Sequence, residues 1–200
     1  MTHCLNPNCQ IPQNPDRNKY CQNCGSKLLL KDRYRPLNLI GQGGFGRTFL
    51  ATDQDKPSKP QCVIKQFFPA SQRTNNINKA AQLFEKEATR LDQLGKHSQI
   101  PELMAHFTQD SRQYLVQEFI AGQNLAQALT IEKPYNEDQI RGLLKNLLPV
   151  LQFIHSHNVI HRDIKPENII RRQNSDRQLV LVDFGACLLY TSPSPRDAIP

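Results

Sequence analysis

The chain has 200 residues, 38% of them hydrophobic and 22% charged, with a net charge of +7, which suits a soluble globular domain with a small appendage. It holds no apolar run of about 18 residues, and its first 30 residues lack a basic start followed by an apolar stretch, so neither a membrane segment nor an export signal is expected and a cytoplasmic location is. The basic residues are scattered and Trp is absent, so the positive charge reads as a solvated surface, with no nucleic acid expected as a partner.

Residues 1–30 are rich in Asn, Gln, Pro and Cys, a composition that cannot build an apolar core and needs another staple. Four of the six cysteines fall here, as the pairs Cys4 with Cys9 and Cys21 with Cys24. Reduced thiols are expected without an export signal. Two close pairs separated by eleven residues have the arrangement of a zinc ribbon, and four thiolates complete a tetrahedral Zn2+ with no open position, which makes a structural site. A redox switch or two disulfides stand as alternatives.

From Tyr34 the character changes. Short β-like runs at Leu37–Ile40, Thr48–Ala51 and Cys62–Lys65, broken by Gly- and Pro-rich turns, predict an antiparallel meander. Between the first two runs lies Gly41-Gln42-Gly43-Gly44-Phe45-Gly46, a G-x-G-x-x-G pattern that phosphate-binding loops of two kinds share. A dinucleotide-binding fold needs a helix directly after the third glycine; Thr48-Phe49-Leu50 predicts a strand, and hence a hairpin whose bare backbone approaches phosphates while Phe45 covers them. Lys65 ends the next strand and is expected to reach the α- and β-phosphates.

Helical spacing of Ala80, Leu83, Phe84, Ala88, Leu91 and Leu94 predicts a helix over 78–94. Glu87 shares a side with Leu91 and Leu94, and is the expected anionic partner of Lys65. A strand is predicted over 114–120; the segment Val116–Gly122 is expected to connect two lobes, with backbone groups near Glu118 and Ile120 binding an adenine edge and Gln117 at the entrance to the pocket behind it. A second helix is predicted over 137–155, with Pro149 kinking it or removing a hydrogen bond.

His161-Arg162-Asp163-Ile164-Lys165-Pro166-Glu167-Asn168 is the most specific stretch. Asp163 is placed to orient or deprotonate an attacking hydroxyl, Lys165 to stabilise charge on a transferring phosphoryl group, Asn168 to offer an amide oxygen to a divalent cation, and Arg162 to support the loop. Strand-like runs at Asn168–Ile170 and Leu179–Val182 follow, and Asp183-Phe184-Gly185 supplies a carboxylate for Mg2+ or Mn2+.

Gly41 to Gly46, Lys65, Glu87, HRDIKPEN from His161 and DFG from Asp183 together resemble a eukaryotic-type protein kinase over residues 34–186, and the cysteine prefix adds a likeness to cyanobacterial kinases. The resemblance implies an α+β bilobal kinase fold, with an antiparallel amino-terminal lobe (34–120) and a helix-rich second lobe (121–186) that is incomplete. It implies ATP with Mg2+ or Mn2+, and Lys165 after Asp163 implies protein substrates carrying Ser or Thr. Thr48 and Val63 depart from the Val and Ala usual at these positions, both compatible with a nucleotide pocket.

Cys187 to Asp197 is similar to the translation of a transposon-end sequencing adapter, so 187–200 is expected to be read-through, with the natural gene continuing differently after Ala186. Without the rest of its lobe, helix 137–155 is expected to expose apolar surface and the fragment to be unstable and inactive. A non-catalytic module binding zinc and nucleotide is the alternative reading.

Overall fold

The β-branched and aromatic runs form strands in the computed structural model, which describes residues 1–43, 46–68, 74–131, 134–173, 177–186 and 188–189. In chain order these are β1 (Thr2–His3), β2 (Gln13–Asn14), β3 (Tyr34–Gly43), β4 (Gly46–Asp53), β5 (Gln61–Phe67), helix α1 (Thr74–Leu94), β6 (Leu103–Gln109), β7 (Arg112–Glu118), β8 (Gly122–Asn124), α2 (Leu125–Ile131), α3 (Glu137–Ser156), β9 (Val159–Ile160), β10 (Ile169–Arg172), β11 (Leu179–Leu181) and β12 (Leu188–Leu189). Single turns of 3-10 helix cover Pro166–Asn168 and Phe184–Ala186. Two compact units result, Met1–Gln82 with Leu103–Phe119, and Leu83–Glu102 with Ile120–Pro200.

The first unit is built on a five-stranded sheet in the order β3-β4-β5-β7-β6, antiparallel throughout, so the expected meander is present and gains β6 and β7. Register assigns the faces. Arg47, Phe49 and Ala51 pair with Gln66, Ile64 and Cys62, and these with Tyr114, Val116 and Glu118. Successive side chains alternate, so this set shares one face and the register partners Thr48, Lys65 and Leu115 share the other.

The first of these faces is covered by the cysteine prefix. Leu5 and Leu30 lie in one apolar cluster with Tyr34, Phe49, Ile64, Tyr114 and Val116. Backbone bonds in both directions between Leu30 and Tyr34 tie the prefix into β3. This explains why Cys62-Val63-Ile64 reads as apolar without alternation, since a strand covered on both faces has no polar side to show. The prefix has no core of its own apart from its thiols with Leu28 and Leu29, and it borrows the sheet's.

In the second unit α3 opens with a capping box. The Asn136 side chain accepts from the Gln139 amide and the Gln139 side chain accepts from the Asn136 amide, both at 2.9 Å. The helix runs through Pro149, which is exposed, so water can reach the carbonyl deprived of its partner. Leu147, Val150 and Ile154 are buried, while Ile140, Leu144 and Leu148, at four-residue spacing, are 43%, 47% and 57% exposed. The exposed apolar stripe expected for this helix is therefore present. The predicted strand Asn168–Ile170 begins one residue later, because Asn168 closes the 3-10 turn after Pro166.

A small sheet in the order β11-β10-β8 and the pair β9-β12 complete this unit. Gln99 holds it from within: its side chain donates to the Asn146 carbonyl (2.8 Å) and the Leu179 carbonyl (3.0 Å), and its own carbonyl accepts from Leu181 N–H (2.9 Å). Of the adapter-like stretch only Leu188 and Leu189 are described, paired with Ile160 and Val159; its other residues, and Gly44 and Phe45 of the glycine pattern, lie outside the described residues. Among those described, no helix is long and apolar enough to cross a membrane.

Candidate functional site

The glycine pattern is a hairpin, as the strand after it predicts: Gly41 pairs with Thr48, Gln42 with Arg47 and Gly43 with Gly46. Its glycines are there for different reasons. A Cβ on Gly43 would meet nothing within 4 Å, whereas a Cβ on Gly46 would sit 2.2 Å from the Gln66 carbonyl oxygen. Gly46 thus lets β4 close onto β5 beside Lys65, a packing requirement that adds to the phosphate approach expected of it. Gly46→Ala is expected to cost about 2 kcal/mol in urea melts, in the range of other overpacked sites. Gly43→Ala is expected to stay within about 0.5 kcal/mol, so equal effects at the two positions would refute this distinction.

Lys65 pairs in register with Thr48 on one side and Leu115 on the other. Glu118 ends β7 in the first unit; Ile120 is buried at the start of the second, which also holds Glu87. Glu87, only 4% exposed, packs beside the Asp183 turn: a Cβ on Gly185 would lie 3.3 Å from Glu87 Oε2 and 3.5 Å from Asp183 Oδ1.

The segment from His161 to Asn168 folds around Asp163. Lys165 Nζ donates to Asp163 Oδ2 at 2.8 Å, and Asn168 Nδ2 donates to both the Asp163 carbonyl and Oδ2 at 2.9 Å. The bond to Asp163 holds the Lys165 ammonium above its usual pKa. Both oxygens facing Asn168 can only accept, so its nitrogen is the atom turned to Asp163 and its amide oxygen remains as an acceptor. Asp163, Lys165 and Asn168 are brought together as one hydrogen-bonded group.

Two bonds tie this segment to Val182, the residue before Asp183. His161 Nε2 lies 3.1 Å from the Val182 carbonyl, and Val182 N–H donates to the Asn168 carbonyl at 2.9 Å. His161 is 1% exposed, and its ring meets Phe184 edge-on at 4.9 Å between centroids. No role for His161 is evident from its sequence position; buried, its ring links the two motifs. Arg90, also unassigned, is 2% exposed and donates to the Phe184 carbonyl at 3.3 Å. Its placement on the same helix as Glu87 was readable, its burial was not, because an Arg on a helix is ordinarily solvated. Arg162 and Asp183 adopt left-handed φ values of 66° and 67°, so each motif contains one residue held in a backbone conformation that L side chains seldom adopt.

In the first unit the sulfurs of Cys4, Cys9, Cys21 and Cys24 all lie within 4.8 Å of one another. The pairs Cys4–Cys24 and Cys9–Cys21 are each 3.6 Å apart, too long for a disulfide. That spacing is close to the edge of about 3.8 Å that four sulfurs make around one tetrahedral zinc. Gly25, at φ 71°, turns the second knuckle. Burial pushes the Cys4 thiol up; burial also opposes ionisation of Cys24, but the Ser26 hydroxyl and backbone outweigh it and hold that thiol at about 6.

A family model described as the protein kinase domain matches residues 34–199. Serine/threonine-protein kinase B of Synechocystis sp. is 47% identical over 186 residues, 93% of this chain and 32% of that protein. Serine/threonine-protein kinase F of the same organism is 40% identical, over 92% of this chain and 41% of that protein. Serine/threonine-protein kinase PknA of Nostoc sp. is 45% identical, over 79% of this chain and 28% of that protein. The first two matches cover more of the chain than 34–199 spans, so they take in part of the cysteine prefix. A solved structure titled PpkA-294 apo form superposes with a TM-score of 0.66 at 25% identity, covering 76% of this chain and 58% of that one. The chain spans about a third of the length of the curated relatives it matches.

Proposed function

The chain belongs to the protein kinase family, and on that premise we propose that the full-length protein is a cytoplasmic enzyme that transfers the γ-phosphate of ATP to serine and threonine hydroxyls of protein substrates. The observation that carries this reading is the group Asp163, Lys165 and Asn168, bonded together and tied through His161 and Val182 to the Asp183 turn.

In this reading the Asp163 carboxylate orients the substrate hydroxyl and accepts its proton as the oxygen attacks. Lys165, already held by that carboxylate, neutralises charge on the equatorial phosphoryl oxygens. The glycine hairpin from Gly41 through Gly46 covers the phosphates, Lys65 pairs with their oxygens, Glu87 serves as its anionic counterpart in the nucleotide-bound enzyme, and the backbone at Glu118 and Ile120 binds the adenine edge. Asp183 and the amide oxygen of Asn168 are the hard donors that would hold Mg2+ or Mn2+. When bound, such a cation would supply neutralisation of phosphate charge. The four thiols of the prefix are proposed to hold one structural Zn2+, because their number and spacing suit it.

The test is ATP-dependent autophosphorylation by the full-length protein with Mg2+, compared with Lys65→Met. Loss of label in the variant is expected; label at the wild-type level would refute the assigned site.

A further inference from the structure

The sheet face opposite Lys65 and Thr48 takes no part in the phosphate chemistry, yet it carries a built polar joint. The Leu5 carbonyl accepts from an Arg47 guanidinium nitrogen at 2.7 Å and from Gln66 Nε2 at 2.9 Å. Arg47 also donates twice to Gln66 Oε1, at 3.1 and 2.6 Å, and Gln66 Nε2 reaches the Tyr114 hydroxyl at 3.1 Å. Gln66 is fully buried, and the Arg47 guanidinium lies 5.3 Å from the ring centroids of both Phe49 and Phe68.

Its members sit next to the phosphate-handling residues in the chain. Arg47 follows Gly46, Gln66 follows Lys65, and the Gly46 backbone lies against the Gln66 carbonyl. Leu5 follows Cys4, one of the four clustered thiols. Buried amide and carbonyl groups lose heavily when left unmet, so the three residues hold their places as a set. By alternation the side chains of Arg47 and Gln66 lie on the opposite face from that of Lys65, so any effect they have on nucleotide is indirect.

We infer that Arg47 and Gln66 are positioning residues that carry the seating of the cysteine prefix, through the Leu5 carbonyl, to Gly46 and Lys65, and thereby set the enzyme's affinity for ATP. The inference rests on the kinase reading. Pre-ordering the hairpin and Lys65 strengthens binding by lowering the ordering cost that ATP would otherwise meet.

The experiment uses the full-length protein and measures KM for ATP, KM for a peptide substrate, kcat and melting temperature in wild type, Arg47→Met, Cys4→Ser and the double variant. Arg47→Met is expected to raise KM for ATP about tenfold while kcat and the peptide KM stay within about twofold. Cys4→Ser is expected to raise KM for ATP in the wild-type background and to add little to Arg47→Met, since both break one joint. Tyr114→Phe, which removes a Gln66 contact without touching Leu5, is expected to leave KM for ATP unchanged. An unchanged KM for ATP in Arg47→Met overturns the inference, as does a fall in kcat matched by melting temperature, or full additivity with Cys4→Ser. If Arg47→Met fails to fold, Arg47→Lys keeps the cation but not the paired donors and is judged by the same criteria. Wild type that transfers no phosphate overturns the kinase reading, and this inference with it.

Discussion

Asp163→Asn in the full-length protein is expected to lower kcat about a thousandfold while leaving the KM for ATP and the melting temperature near wild type. The range for losing a positioned base is about a hundred- to ten-thousand-fold. The substitution is close to isosteric, and an asparagine oxygen can still accept from Lys165 Nζ and Asn168 Nδ2, which meet Asp163 Oδ2 at 2.8 and 2.9 Å. The loop should therefore keep its shape. What disappears is the negative charge that holds the Lys165 ammonium and the basicity that takes the hydroxyl proton. A variant with unchanged kcat would remove Asp163 from the chemistry; one with a collapsed melting temperature would make its role structural.

Stripping metal from the four thiols is expected to disorder the prefix and destabilise the first unit. The buried residues of the prefix's own cluster are Cys4, Cys21 and Leu28, so the thiols are its core. Apparent zinc contributions at structural sites run to about 10 kcal/mol or more, larger than any contact the prefix makes by itself. Leu5 and Leu30 would leave the sheet, at about 1.5–3 kcal/mol for each large apolar side chain returned to water. Calorimetry with and without a chelator, in reducing buffer, is expected to show the first unit's transition fall by about 10 °C or more. Superimposable traces from protein shown to have contained zinc would contradict this account of the prefix.

Much of the candidate site was legible because its chemistry is local in sequence. Asp163, Lys165 and Asn168 lie within six residues, and a short loop leaves few ways to arrange them except around one another. The meander was legible from strand-forming runs between turn residues. What the sequence did not show was the seating of the prefix. Leu5 and Leu30 are isolated apolar residues in a polar stretch, and their partners Phe49 and Ile64 are distant in the chain. The available signal was negative: Cys62-Val63-Ile64 lacks the alternation of a half-exposed strand, which implied an unidentified cover. Gly46 was recognised by pattern, but its neighbour, the Gln66 carbonyl, exists only once β4 pairs with β5. His161 and Arg90 were missed for a related reason, since burial decides their roles, and a His is found both inside and outside while an Arg usually faces water.

The most direct measurement is the identity of the residue labelled when full-length protein is incubated with γ-labelled ATP and Mg2+. The account predicts phosphoserine and phosphothreonine in wild type and neither in Asp163→Asn. Label confined to phosphotyrosine, or equal label in the variant, would contradict it.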